Sequence, residues 1–159
     1  MCIRDSPLAI GYRILLAHAE TGTPVTFPDP NLEAAIREAI GKPTGDIYPS
    51  DLAGLTHLHA YQRNITDLTG LEHCTSLTYL DLYDNQIADI SPIANLGSLA
   101  DLDLMYNQIS NVSPLASLTS LTDLSLGYNE VSDISPLAGL TNLTSVSYTH
   151  LTLPTTPYV

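Results

Sequence analysis

From Leu55 onward the apolar positions obey a long period rather than one helical or strand rhythm. "LDLYDNQIADISPI", residues 80–93, returns 22 residues later as "LDLMYNQISNVSPL" and again as "LSLGYNEVSDISPL". Leu77, Leu80, Leu82, Ile87, Ile90, Ile93 and Leu96 thus recur as Leu99, Leu102, Leu104, Ile109, Val112, Leu115 and Leu118, then as Leu121, Leu124, Leu126, Val131, Ile134, Leu137 and Leu140. A degenerate earlier copy runs Leu55, Leu58, Ala60, Ile65, Leu68, Leu71 and Cys74, which puts a cysteine in a leucine position and predicts a small buried core residue there. In "LTYLDLY" the alternation predicts a short strand, with Leu80 and Leu82 on one face and Tyr79, Asp81 and Tyr83 on the other. Ser91-Pro92, Ser113-Pro114 and Ser135-Pro136 each place a hydroxyl before a proline. That pairing predicts a capped short helical turn on the return path.

One polar residue keeps its place among these leucines: Asn85, Asn107 and Asn129. A side-chain amide has two donors and an acceptor, so it can pair the backbone groups that a buried corner would otherwise strand. Stacked coils therefore predict an asparagine ladder, beginning at Asn85 because Arg63 occupies the slot in the first copy. A single coil cannot bury its own apolar face, so the copies must stack on one another.

Ahead of the copies, "FPDPNLEAAIREAIGKP" carries the marks of one helix. Asp29 suits the N-cap, Pro30 the first helical position, and Gly41 with Pro43 the stop. Leu32, Ile36, Ala39 and Ile40 fall on one predicted face, with Glu33, Arg37 and Glu38 turned away. A lone amphipathic helix so near the array is expected to cover the apolar end of its first coil.

The spacing L-x-x-L-x-L-x-x-N-x-I at this period is the leucine-rich repeat signature. "SLTDLSLGYNEVSDISPLAGLT" resembles the 22-residue repeats of internalin-like bacterial surface proteins, and "FPDPNLEAAIREAI" is similar to the helical cap that precedes them. The resemblance covers roughly residues 25–145. It implies a leucine-rich repeat solenoid of the α/β class. A parallel sheet would line the concave side, with short 3-10 or irregular turns on the convex side and a helical cap at the N-terminus. It also implies partner recognition on the concave side. The resulting division is a cap over 25–53 and four repeats over 54–145.

Both ends read differently. Back-translation of Met1–Asp5 as ATG TGT ATA AGA GAC gives, on the opposite strand, codons for Val-Ser-Tyr-Thr-His, the residues at 146–150. An inverted DNA repeat of this kind resembles a translated sequencing adapter, so residues 1–6 and 146–159 are expected to be artefact rather than native protein. Residues 7–24 hold a candidate export-signal remnant, with Ala17-His18-Ala19 as a small-x-small cleavage pattern, followed by a linker. On this reading Cys74 is the one genuine cysteine, and no disulfide framework is expected.

Charge narrows the partner. Five basic residues face seventeen acidic ones, for a formal net charge of −12. Nucleic acid and anionic membranes are bound through Lys and Arg, so neither is expected as a partner. No stretch approaches the roughly 20 apolar residues of a transmembrane helix.

The outward positions of the strands align in four columns. The first holds His57, Tyr79, Asp101 and Asp123, and the second His59, Asp81, Asp103 and Ser125. Tyr61, Tyr83, Met105 and Gly127 form the third, and Gln62, Asp84, Tyr106 and Tyr128 the fourth. Tyr and Met are common at protein interfaces, and this acidic, aromatic surface is the expected binding face for a protein or glycan ligand. His57-x-His59 near Asp81 has the composition of a zinc site, but no other copy continues the set, and no metal or cofactor is expected. Catalytic signatures such as G-x-S-x-G, a glycine-rich phosphate loop or H-E-x-x-H are missing from the sequence, so a non-enzymatic binding module is expected, as a monomer. The resemblance and the candidate export signal imply that it is secreted or at the cell surface. The alternatives are a targeting segment of a larger enzyme and an intracellular regulatory scaffold.

Overall fold

The computed structural model describes residues 22–148; the adapter-like opening, the candidate export signal and residues 149–159 lie outside the described residues. Helix α1 spans Pro30–Ile40 and the four-residue helix α2 spans Pro49–Leu52. Five three-residue strands follow, β1 (His57–His59), β2 (Tyr79–Asp81), β3 (Asp101–Asp103), β4 (Asp123–Ser125) and β5 (Ser145–Ser147). They form one parallel sheet in sequential order, each paired with the next at a shift of 22 residues. Short 3-10 turns at Leu71–His73, Ser91–Ile93, Ser113–Ser117 and Ser135–Gly139 carry the chain back between strands. The result is the expected repeat solenoid.

The repeated leucines share one interior. Leu80, Leu102 and Leu124 pair strand to strand, and they and the other repeat leucines from Leu55 to Leu126 are buried. The β5 strand runs past residue 145, the expected end of the repeats, and sets Val146 beside Leu124. At this end the core thins: Val131, Ile134, Leu143 and Val146 are only partly buried.

The asparagine ladder forms as expected. Asn107 Oδ1 accepts from the Ile87 N–H at 3.0 Å, while its Nδ2 donates to the carbonyls of Leu82 (2.9 Å) and Leu104 (3.1 Å). Asn85 makes the same set to Ile65, Ala60 and Leu82, and Asn129 to Ile109, Leu104 and Leu126. Each asparagine thus ties its own coil to the preceding one.

Two local expectations are corrected. The buried face of α1 is Leu32, Ala35 and Ile36, with Ile40 half-buried and Ala39 exposed: Ala39 has helical spacing from Ile36 but borders the open space between the helix and β1. The convex turns are not capped by their serine hydroxyls either. Instead, a side-chain oxygen two residues upstream accepts the N–H: Asp89 Oδ1 from Ser91, Asn111 Oδ1 from Ser113 and Asp133 Oδ1 from Ser135. Asp67 does the same for Thr69 in the first coil, so the capping column is Asp67, Asp89, Asn111 and Asp133. Each forms a local Asx turn, a short polar side chain satisfying backbone two residues on.

The cap locks onto the array through Asp29. Its Oδ1 caps α1 by accepting from Asn31 and Leu32, while Oδ2 accepts from the N–H groups of Thr66 and Asp67. Phe27 packs on Gly70, whose φ of +104° and proximity to that ring leave no room for a Cβ. Cys74 is fully buried in its leucine position, and burial first, with the nearby Glu72 charge second, pushes its thiol up to about 12, so it is an inert core group.

Candidate functional site

Because side chains alternate across a strand, burying Leu58, Leu80, Leu102 and Leu124 forces their neighbours onto the opposite, concave face. Pairing runs His57–Tyr79–Asp101–Asp123 along one row and His59–Asp81–Asp103–Ser125 along the next, as aligned from sequence. Beyond the strand ends the coils stay in register through hydrogen bonds from Gln62 N to Tyr83 O, Asp84 N to Met105 O and Tyr106 N to Gly127 O.

Near the cap, both imidazoles lie against one ring. Tyr79 has its centroid 5.8 Å from that of His57 and 5.0 Å from that of His59, and His59 Nδ1 lies 3.9 Å from Asp81 Oδ2. Among the described residues no group of three or more His, Cys, Asp or Glu side chains is arranged to hold a metal ion. The residues with outward side chains on β1 also border a groove of about 600 Å³ beneath α1, lined by Ala35, Ala39, Glu38, Tyr61, Gln62 and Arg63 together with the two histidines. Sequence reasoning did not foresee this groove, which exists only where α1 packs against β1.

The middle of the face is acidic. Asp101 pairs in register with Asp123, and Asp81 with Asp103. Asp81 and Asp103 also hold backbone, each accepting from the N–H two residues on, Tyr83 and Met105 respectively. The Asp123 carboxylate accepts from the Thr122 hydroxyl, whereas among the described residues the Asp101 carboxyl group has no side-chain hydrogen bond. Partial burial, then the charges of Asp123 and Asp81, raises the Asp101 carboxyl above its ordinary range. Asp103 is raised too, first by burial and then by Asp81 and Asp101, against a lowering hydrogen bond from Met105. Tyr79 is raised by burial and the same aspartates.

Along the far edge runs an aromatic ridge. Tyr106 and Tyr128 stack at 4.1 Å with planes 10° apart, and Tyr83 meets Tyr106 edge-on at 5.3 Å. A hydrogen bond with Tyr128 comes first among the causes that raise the Tyr106 hydroxyl. Tyr61, Tyr106 and Tyr128 are exposed, while Tyr83 and Met105 are half-buried. Gln62, Asp84, Tyr106 and Tyr128 all adopt left-handed backbone with φ between 53° and 55°. Side chains larger than glycine pay strain in that region, and two of these four are bulky aromatics. Asp84 is tied back by accepting from Gln62 Nε2 at 3.0 Å.

The comparisons with known proteins agree with this geometry. The family described as "Leucine Rich repeats (2 copies)" matches residues 53–95 and 97–139. An internalin (inlF) from Listeria monocytogenes is 36% identical, with a TM-score of 0.76, over 82% of this chain and 39% of that one. Internalin C2 (inlC2) from the same organism is 37% identical, with a TM-score of 0.58, over 79% of this chain and 67% of that one. The functional domain of InlJ, also from Listeria monocytogenes, is 30% identical with a TM-score of 0.70; this chain spans 26% of its length. No curated protein sequence matches the chain.

Proposed function

The chain belongs to the leucine-rich repeat family as an internalin-like bacterial repeat protein, and on that footing we propose that it is a non-enzymatic binding module that captures a protein or glycan ligand on its concave face. The observation that carries this reading is the continuous outward face of four aligned columns, ending in exposed, stacked tyrosines. Exposed aromatic rings offer large contact area with a polar tip and little rotamer freedom to lose. The residues assigned to the contact are His57, His59, Tyr61, Tyr79, Asp81, Tyr83, Asp84, Asp101, Asp103, Met105, Tyr106, Asp123 and Tyr128. Export to the cell surface or medium belongs to this reading, in keeping with the internalin likeness. Among the described residues no helix is long and apolar enough to cross a membrane.

Site-specific photo-crosslinking tests the assignment. A benzophenone side chain is placed at Tyr79 on the concave face or at Ala116 on a convex turn, and the protein is offered a mixture of extracellular proteins and glycoconjugates. Adducts are expected from position 79. Adducts confined to position 116 would remove the concave face as the binding surface.

A further inference from the structure

The charge on this molecule is segregated along its length. From Asn64 to the end there is no lysine or arginine, yet ten of the seventeen acidic residues fall there. The three cations among the described residues sit on the cap or first coil, each already against a carboxylate: Arg37 with Glu33 at 2.7 Å, Lys42 with Asp51 at 2.8 Å and Arg63 with Glu38 at 2.7 Å. Among the described residues, no lysine or arginine therefore answers the aspartates of the concave face. Those aspartates sit in like-charge pairs on strands about 4.8 Å apart, an arrangement that costs stability when no counter-charge intervenes. Beside them stands the tyrosine ridge, whose ring faces attract cations and accept the hydrocarbon stems of long side chains.

We propose that the occupant of the concave face is a lysine- or arginine-bearing protein segment. Its cations lie over the Asp101–Asp123 and Asp81–Asp103 pairs, and its stems lie on Tyr83, Tyr106 and Tyr128. This deepens the concave-face reading and rests on it. A neutral glycan would stack on the ridge but leave the paired carboxylates unanswered, and an acidic one would be repelled. Arginine fits best, since its planar fork bridges carboxylates and stacks on aromatic faces. Complementarity of this kind also speeds encounter and makes association sensitive to salt.

The test uses the full chain and four fluorescent probes: deca-arginine, deca-lysine, deca-glutamate and the neutral sugar chitohexaose. Fluorescence anisotropy is measured at low and physiological salt against wild type, the double variant Asp101→Asn/Asp123→Asn, Tyr106→Gly, and a control, Asp46→Asn/Glu130→Gln, that removes as much charge away from the face. Deca-arginine is expected to bind wild type and weaken with salt. It should lose about tenfold or more in the aspartate variant, as charged hydrogen bonds imply, and weaken in Tyr106→Gly as well. The control should stay within about twofold of wild type. Equal loss in the control would overturn the proposal, because attraction would then follow net charge rather than the face. Chitohexaose binding that Tyr106→Gly abolishes, with no deca-arginine binding, would overturn the cationic partner yet leave the concave face standing. Probe binding that neither face variant alters would sink both.

Discussion

Replacing Asn107 with alanine should be among the most damaging polar substitutions in the chain, and the ladder geometry sets its size. Asn107 is 9% exposed, and its Oδ1 is the acceptor for the buried Ile87 N–H. Removing that acceptor leaves a buried donor unpaired, which costs about 1–3 kcal/mol. The Leu82 and Leu104 carbonyls each lose one bond but keep another, from Asn85 and Asn129 respectively, so each loss is nearer the ordinary net value of about 0.5–1.5 kcal/mol. Together the substitution should cost about 2–6 kcal/mol, a large part of the roughly 5–15 kcal/mol that holds a typical domain together. Asn129→Ala removes an equivalent set of bonds, but Asn129 is only partly buried, so water can replace some of them and the cost should be smaller. Urea unfolding followed by circular dichroism measures both variants, with exposed Gln108→Ala as a control expected within about 0.5 kcal/mol of wild type. An unchanged denaturant slope is needed, since a broken array would unfold in parts. If Asn107→Ala falls within about 0.5 kcal/mol of wild type, or costs less than Asn129→Ala, the ladder is not what holds these corners.

Other substitutions probe the cap and the face. Gly70→Ala would put a Cβ 2.5 Å from a Phe27 ring carbon and 3.0 Å from the Thr26 carbonyl at a φ of +104°, so a lowered melting temperature is expected, with cap amides exchanging faster than those of the central coils. Burial alone would raise the Asp29 carboxyl, but hydrogen bonds from Thr66, Leu32, Asn31 and Asp67 win and hold it below its ordinary value. Its stabilisation is therefore complete above the unfolded carboxylate value and fades as pH falls through the folded one, so a plot of stability against pH should have a shallower acid limb in Asp29→Asn. Asp101 has the opposite sign: its raised carboxyl contributes stability that is complete below the unfolded value and lost as pH rises through the folded one. Asp101→Asn should therefore melt higher than wild type at neutral pH and level with it in acid. A neutral-pH melting temperature below wild type would contradict the crowding of charge on this face.

The 22-residue phrase alone determined most of the architecture. A solenoid buries the same letters in every turn, so the core leucines, the outward columns and the start of the ladder at Asn85 are local properties multiplied by stacking. Asp29 as a helix cap was equally legible, because capping needs only a short acceptor before a proline-led helix. Its second carboxylate oxygen was not legible: the bonds to Thr66 and Asp67 span 37 and 38 residues and exist only once the cap has docked. The pairing of Phe27 with Gly70 and the groove beneath α1 arise from the same docking, which no periodicity encodes. The Asx column was present in the alignment but hidden behind the more familiar serine–proline signal. Finally, stacking of Tyr106 on Tyr128 depends on left-handed backbone at both positions. A propensity reading assigns that conformation to glycine or asparagine, and here the hydrogen bonds between neighbouring coils impose it on tyrosine.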